Sequence, residues 1–314
     1  MPTFFMMVGL PASGKSTKAK YMRDVYKGSV LLSTDSIRRE VFKDEEDQTH
    51  NVEVFKITQQ KIREALFEDK DVIFDATNLK RKQRMGILKS LPKCRREALV
   101  MVTPYETCLE RNRDRDRVVP EEVIKKMYFG YQPPHYAEGF DCISYIQSEG
   151  IDLDSLMMKN IACQHDNPNH KLSCGEHCIE AFCSMFKIIM KKKFEDKIDD
   201  FYSYYGITEE SLLIASLCHD LSKFKCKTFY TCKGEKSDKA HYYSHESVSA
   251  YDFMCWERTM FMNAHELTYI LNLIYSHMIF YNKDTAAIEK RKKFYGDCFW
   301  EVLEMLHQAD KEAH

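Results

Sequence analysis

Two groups of residues in this chain have the types and spacing to do phosphate chemistry. The first is Gly9-Leu10-Pro11-Ala12-Ser13-Gly14-Lys15-Ser16-Thr17. It fits G-x-x-x-x-G-K-[ST] and follows the apolar run Phe4-Phe5-Met6-Met7-Val8, the strand, turn and helix start this pattern needs. Glycines let backbone N–H groups curl around a phosphate with no side chain in the way. The helix that follows adds unpaired N–H donors and its positive dipole end. Gly9, Ser13, Gly14, Lys15, Ser16 and Thr17 are therefore candidate ligands of a nucleoside triphosphate. Lys15 reaches its β- and γ-phosphates and the Ser16 hydroxyl ligates Mg²⁺. The competing reading is a plain glycine turn with a surface lysine.

Charged residues at neighbouring strand ends add to this site. Asp35 follows the strand Val30–Ser33 and can accept a proton from an attacking hydroxyl or hold Mg²⁺. It can equally cap a helix over Ser36–Val41. Arg38 lies one helical turn on, where its fork of donors can clamp a substrate phosphate. Asp75 ends Val72–Phe74 and precedes Ala76-Thr77-Asn78, a loop at the top edge of a sheet, from which it can orient the acceptor or Arg38. Arg111, Arg113, Arg115 and Arg117 alternate with Asn112, Asp114 and Asp116, just before Pro120. The segment reads as a lid that neutralises charge developing on the transferring phosphate, or as a salt-bridged helix end. No N-K-x-D guanine-reading pattern occurs, which disfavours a GTPase switch.

The second group is histidine-rich. Of twelve histidines only His50 and His135 precede residue 151. Cys218-His219-Asp220-Leu221-Ser222-Lys223 closes an apolar helical run, and a His-Asp pair offers nitrogen and oxygen to one divalent metal such as Mn, Fe, Ni, Co or Zn. His165-Asp166 is another such pair but reads as a loop beside Asn167-Pro168. His177, His245, His277 and Asp310 fall on separate helical stretches, the way bundle cores assemble metal sites. Taken singly, each histidine is as well explained by packing or solvent. His170 and His241 are rivals for two of the positions. Cys163, Cys174, Cys178 and Cys183 lack a paired C-x-x-C and are a weak thiolate alternative.

These groups require two kinds of scaffold. Through residue 150, strands expected at Thr3–Val8, Val30–Ser33, Val72–Asp75, Ala98–Thr103 and Cys142–Ile146 alternate with helical patterns. Those patterns cover Lys15–Tyr26, Asn51–Phe67, Lys80–Leu88, Tyr105–Asp114 and Glu121–Tyr131. Such alternation implies a parallel sheet covered on both faces, with ligands at the strands' carboxyl ends. From 154 to 314 the pattern is helical: Cys174–Lys192, Glu195–Tyr205, Glu209–Leu221, Ser244–Met260, Ala264–Phe280 and Asp297–His314. The fold class is α/β with a parallel sheet over 1–150, then an all-α helical domain over 154–314. With 314 residues, 44% apolar content and a formal charge of −2, the composition is that of an ordinary globular protein. No signal-peptide pattern or membrane-length apolar run is expected. The scattered cysteines read as reduced thiols in the cytoplasm. Basic patches at Lys80–Arg84 and Arg111–Arg117 leave nucleic acid open as a partner.

The first half resembles the phage-type polynucleotide 5′-kinases, a P-loop family. The matching stretches are Gly9–Thr17, Ser33-Thr34-Asp35-Ser36-Ile37-Arg38, Asp75-Ala76-Thr77-Asn78 and Arg111-Asn112-Arg113-Asp114-Arg115 followed by Val119-Pro120. The resemblance implies ATP and Mg²⁺ contacts at Lys15 and Ser16, and a general base at Asp35. Arg38 would contact the phosphate beside the attacked hydroxyl, and Asp75 would be the acceptor-side carboxylate. Arg115 would be the lid arginine, with Arg111 its helper on the nucleotide. That family includes relatives acting on small molecules.

The order His177, His219-Asp220, His245, His277, Asp310 resembles the HD phosphohydrolase superfamily. That implies core metal ligands at His177, His219, Asp220 and Asp310. His245 and His277 would hold a second metal or a substrate phosphate, and Lys223 would contact phosphate. One or two ions of the Mn²⁺, Ni²⁺, Fe²⁺ or Co²⁺ type are implied. Together the halves resemble bifunctional enzymes that heal RNA or DNA ends. The alternatives are a nucleoside or metabolite kinase joined to an HD nucleotide phosphohydrolase, and a nucleotide-sensing regulator whose HD bundle only binds. A homo-oligomer is compatible with either.

Overall fold

The computed structural model describes residues 1–43, 49–167, 171–194 and 207–313. The chain divides into two units. The first is Met1–Met127 with Pro134–Glu149, and the second is Tyr128–Pro133 with Gly150–His314.

In the first unit the apolar run after Pro2 forms β1 (Thr3–Val8), whose last five residues are buried. The other strands are β2 (Val30–Ser33), β3 (Val72–Asp75), β4 (Arg95–Val102) and β5 (Cys142–Gln147). All pairings are parallel and the spatial order is β2-β3-β1-β4-β5. The connecting helices are α1 (Lys15–Val25), α2 (Thr34–Phe42), α3 (Asn51–Phe67), α4 (Arg81–Leu88), α5 (Tyr105–Arg113) and α6 (Glu121–Phe129). Phe5, Met7, Ala19, Met22, Ile73, Leu99 and Met101 form one packed layer between sheet and helix. β1 lies between β3 and β4, so the chain reverses its direction of travel across the sheet there. Such reversals open a crevice above the carboxyl ends of the strands.

Sequence periodicity finds all five strands, with β4 starting at Arg95 rather than the expected Ala98, and a helix expected over Ser36–Val41 is present as α2. The helix begins at Thr34, and its cap is Ser33 rather than Asp35, accepting from the Asp35 backbone N–H at 3.2 Å.

The second unit contains α7 (Leu153–Ile161), α8 (Cys174–Phe194), α9 (Glu209–Cys218), α10 (His245–Met254), α11 (Ala264–Ser276), α12 (Thr285–Tyr295) and α13 (Asp297–Glu312). It is helical but not all-α. β6 (Thr228–Tyr230) and β7 (Lys236–His241) form a small antiparallel hairpin. Its turn uses Gly234 at φ 82°, a position glycine tolerates and a β-carbon strains. α7 and α12 were not foreseen, their apolar stripes being short and diluted by charge. The expected helices 244–260 and 264–280 end early, at Met254 and Ser276, and continue as 3₁₀ turns at Glu257–Phe261 and His277–Tyr281. The expected helix Glu195–Tyr205 lies outside the described residues, as does His170. Among the described residues no helix is long and apolar enough to cross a membrane.

Candidate functional sites

The loop between β1 and α1 is held by backbone geometry. Gly14 adopts φ 89° as it enters α1, a left-handed conformation suited to glycine. A β-carbon on Gly9 would lie 2.7 Å from Ser13 Oγ and 3.1 Å from Met101 Cβ. The loop after β3 is stapled to it. The Gly9 N–H donates to Thr77 O at 3.0 Å, and Asn78 Nδ2 donates to Met7 O at 2.8 Å. Thr103, just beyond β4, donates its hydroxyl to Ser13 O at 3.1 Å. Beneath, Arg84 is fully buried and makes a two-pronged pair with Glu138 at 2.7 and 2.6 Å while donating to Asn78 O at 3.0 Å. A buried pair with both prongs satisfied fixes geometry, and breaking it leaves an uncompensated charge.

Lys15 is 7% exposed and donates to Leu10 O at 2.5 Å. Burial brings its pKa down to about 8, against the opposing pull of Asp75 and, more weakly, Asp35, while the Arg115 charge lowers it further. Ser16 and Thr17 stand exposed in the first turn of α1. Asp75 ends β3 in register with Ser33, and Asp35 follows Ser33 by two residues in the first turn of α2. Asp35 is held from both sides: Arg38 Nη1 meets Oδ1 at 2.9 Å and Arg117 Nη1 meets Oδ2 at 3.3 Å. Arg38 also donates to Asn51 at 2.8 Å.

The arginine segment is anchored at its base. Asn112 is buried and clasps the Val119 backbone twice, at 2.8 and 3.0 Å. Arg113 pairs with Glu121 at 3.0 Å. Arg111 is turned to Glu149 at 2.5 Å, so the residue expected to assist on the nucleotide is engaged by a carboxylate. Arg117, Asn112 and Asn78 were not picked out individually from the sequence. The near-symmetric charge pattern of 111–117 does not say which arginine faces Asp35.

In the second unit six buried side chains from α8, α10, α13 and the ends of α9 and α11 converge: His177, His219, Asp220, His245, His277 and Asp310. His177 Nε2 lies 3.2 Å from His219 Nε2 and 2.9 Å from Asp310 Oδ1. His245 Nε2 lies 3.2 Å from His277 Nε2 and 3.1 Å from Asp220 Oδ1. Asp220 Oδ2 faces His219 at 3.7 Å and His177 at 3.9 Å. One carboxylate thus faces two pairs of imidazoles. His177, His219 and Asp220 form one metal-compatible group, and Asp220, His245 and His277 form another.

Helix ends set the orientation. His219 Nδ1 meets Ser216 O at 2.7 Å, His277 Nδ1 meets Ile274 O at 2.7 Å and His245 Nδ1 meets Tyr242 O at 2.6 Å, each three residues back. Ser216 and Ile274 sit in the last turns of α9 and α11, where carbonyls lack intrahelical donors and accept such bonds, whereas Tyr242 precedes the first turn of α10. His177 Nδ1 faces Ala313 O at 3.3 Å. A carbonyl only accepts, so each Nδ1 carries the proton and each neutral ring turns its Nε2 lone pair inward. Four lone pairs and two carboxylates aimed at one another repel without a cation, so the donor set fits one or two divalent metals.

Burial alone would push Asp220 and Asp310 up. The Lys223 charge nevertheless holds Asp220 well below the usual carboxylate range. Lys223 Nζ donates to Asp220 Oδ2 at 2.6 Å, and Tyr281 donates to Asp310 Oδ2 at 2.9 Å. Burial pulls Lys223 down and the Asp220 carboxylate more than offsets it, so Lys223 stays charged. Tyr281 was not foreseen. The rival His241 instead meets Ser237 and stacks on Tyr243. Among the described residues no cysteine joins either group, and Cys183 is exposed while Cys174 and Cys178 are buried.

Residues 4–134 match the AAA_33 family model, described as an AAA domain. The first unit therefore carries a P-loop kinase domain of that kind. A curated relative, L-seryl-tRNA(Sec) kinase of Methanococcus maripaludis, is 28% identical over 177 residues, 53% of this chain and 68% of that protein. Among solved structures, a chain of the Pnkp1/Rnl/Hen1 RNA repair complex is 22% identical with a TM-score of 0.37, covering 40% of this chain and 42% of that one. A gluconokinase from Sinorhizobium meliloti 1021 is 16% identical with a TM-score of 0.35, covering 46% of this chain and 82% of that one.

Proposed function

We propose that the chain heals nucleic-acid ends, phosphorylating the 5′-hydroxyl of RNA or DNA with ATP in its first unit and hydrolysing a 3′-phosphate or 2′,3′-cyclic phosphate in its second. The observation that carries the kinase reading is Asp35, an acid at a strand end beside the phosphate loop, gripped by two guanidiniums. In phosphoryl transfer the hydroxyl oxygen bonds to the γ-phosphorus, the β–γ bridging bond breaks and ADP leaves. Asp35 takes the hydroxyl proton, Arg38 holds the neighbouring phosphate, and Asp75 orients the acceptor. Lys15 and Arg115 neutralise the charge that grows on the γ-phosphate, which is where such residues contribute most. Mg²⁺ would be held through Ser16 and would neutralise phosphate charge.

For the second unit the support is the inward set of four imidazoles and two carboxylates. His177, His219, Asp220 and Asp310 would hold one divalent transition metal, and His245 and His277 with Asp220 a second. Such ions supply a water of lowered pKa and charge neutralisation at phosphorus. Lys223 holds Asp220 in place and presents a cation to the phosphate ester.

A second reading of the kinase is favoured by the seryl-tRNA kinase relative: the acceptor is a hydroxyl carried by RNA other than its 5′ end. One experiment separates these. γ-Labelled ATP is incubated with a 5′-hydroxyl oligonucleotide, a seryl-tRNA and free nucleosides, at rising salt. Label on the oligonucleotide, lost steeply with salt, supports end healing. Label on the seryl-tRNA alone moves the substrate, and label confined to nucleosides rejects a polynucleotide acceptor. Metal content after purification and release of phosphate from a 3′-phosphorylated oligonucleotide with Mn²⁺ test the second unit. A metal-free, inert bundle would favour a binding role.

A further inference from the structure

Apart from the histidine cluster, the second unit contains a pocket of about 160 Å³. It is well under the ~300–1,000 Å³ of drug-sized sites, so it encloses one ring system and leaves the remainder of a ligand at its mouth. Its aromatic walls are Tyr275, Tyr295 and Trp300, and Glu246, Ser276 and Arg291 supply polar groups. Tyr295 Oη lies 3.2 Å from Asn272 Oδ1, which only accepts, so the phenol donates there. The Ser276 hydroxyl, 2.9 Å away, then donates to Tyr295 and keeps its own lone pairs for an incoming donor. Arg291 lies over the Tyr275 ring at 5.8 Å, and among the described residues no carboxylate pairs with it. A guanidinium outside any ion pair among the described residues, in the lining of a pocket with aromatic walls, is placed to receive an anion, and Glu246 on the same lining is left for donors. Glu246 and Ser276 would meet ring N–H groups.

We infer that this pocket binds a nucleoside monophosphate, its base between the aromatic walls and its phosphate on Arg291. The inference is independent of both proposed activities. The pocket shares no metal-directed atom with the cluster, although Glu246 follows His245 and Ser276 precedes His277 in the chain. A terminal nucleotide of an oligonucleotide has the same chemistry, so both sources enter the test.

The chain itself supplies the reporter. It has two tryptophans, Trp256 and Trp300, and none before residue 150. Trp256→Phe leaves Trp300, in the pocket wall, as the reporter. Emission is followed in EDTA while AMP, GMP, CMP or UMP is added, then the matching nucleosides, inorganic phosphate and a 3′-phosphorylated tetranucleotide. At least one monophosphate gives a saturable change, and its nucleoside binds at least about tenfold more weakly. Phosphate alone gives no change. Arg291→Ala brings the monophosphate down to the nucleoside's level, and Lys15→Ala leaves the response in place. A tetranucleotide that competes at equal concentration identifies chain ends as the source, and one that does not identifies free nucleotide. The inference is overturned by no saturable change with any monophosphate, by an unaltered response in Arg291→Ala, or by a response that needs added Mn²⁺.

Discussion

The two candidate sites are assembled on opposite physical principles. The first is framed by backbone: a glycine turn and helix start present N–H groups, and the ends of neighbouring elements bring carboxylates to them. Its charged side chains are partly exposed, and Asp35 is 50% accessible even with two arginines on it. The second uses side chains alone. His177 and Asp310 stand 133 residues apart in sequence yet 2.9 Å apart in space, and every imidazole is oriented by a carbonyl. A backbone site tolerates rearrangement of its charges, whereas a buried side-chain site depends on every member.

That contrast is sharpest at Asp220, the carboxylate both imidazole pairs face. Asp220→Ala should lower ester hydrolysis by about 10³-fold or more, ~4 kcal/mol of barrier, and lower bound metal, with kinase rates unchanged. A loss of both activities would mean that the units are not independent. In the first unit Asp35→Asn should cost about 10²–10⁴-fold in phosphorylation, the usual contribution of a positioned base, and Lys15→Ala about 10²–10³-fold, with hydrolysis intact. Near-normal phosphorylation by Asp35→Asn would remove its role as base.

A smaller effect follows from Lys15. Burial holds its pKa near 8, below its unfolded value of 10.5. A triphosphate favours the ammonium, so above pH 8 binding must take up a proton, and affinity should fall by up to about tenfold per pH unit. Lys15→Arg should flatten that profile in a binding titration. Stability runs the other way: between pH 8 and 10.5 the unfolded chain holds more protons, so this group's cost fades as pH rises. The smallest change is Asn112→Ala, which leaves the Val119 N–H without its partner. It should cost about 1–3 kcal/mol in thermal or urea unfolding, with kcat falling a few-fold as the arginine segment loosens. An unchanged kcat would separate the segment from catalysis.

Legibility in the sequence followed the same division. All five strands and the phosphate loop could be read locally, because apolar runs and glycines report their own surroundings. β4 was placed three residues late, since its charged start, Arg95-Arg96-Glu97, does not look like a strand. The histidine set could be listed, but its mutual geometry could not be derived, because it depends on where α9 and α11 stop. Periodicity extended both helices past His219 and His277, whereas the actual ends fall just before them. Tyr281 and Arg117 were hidden for a related reason, since both act through contacts that no short motif encodes.

Those helix ends have a thermodynamic corollary. Wherever a terminal turn frays, its carbonyl lets go of the imidazole, so the proposed ion capture and helix completion would be one equilibrium seen from two sides. Raising free Mn²⁺ should therefore protect the amides around 216–219 and 274–277 from hydrogen exchange and lift the melting temperature in proportion to the logarithm of its concentration.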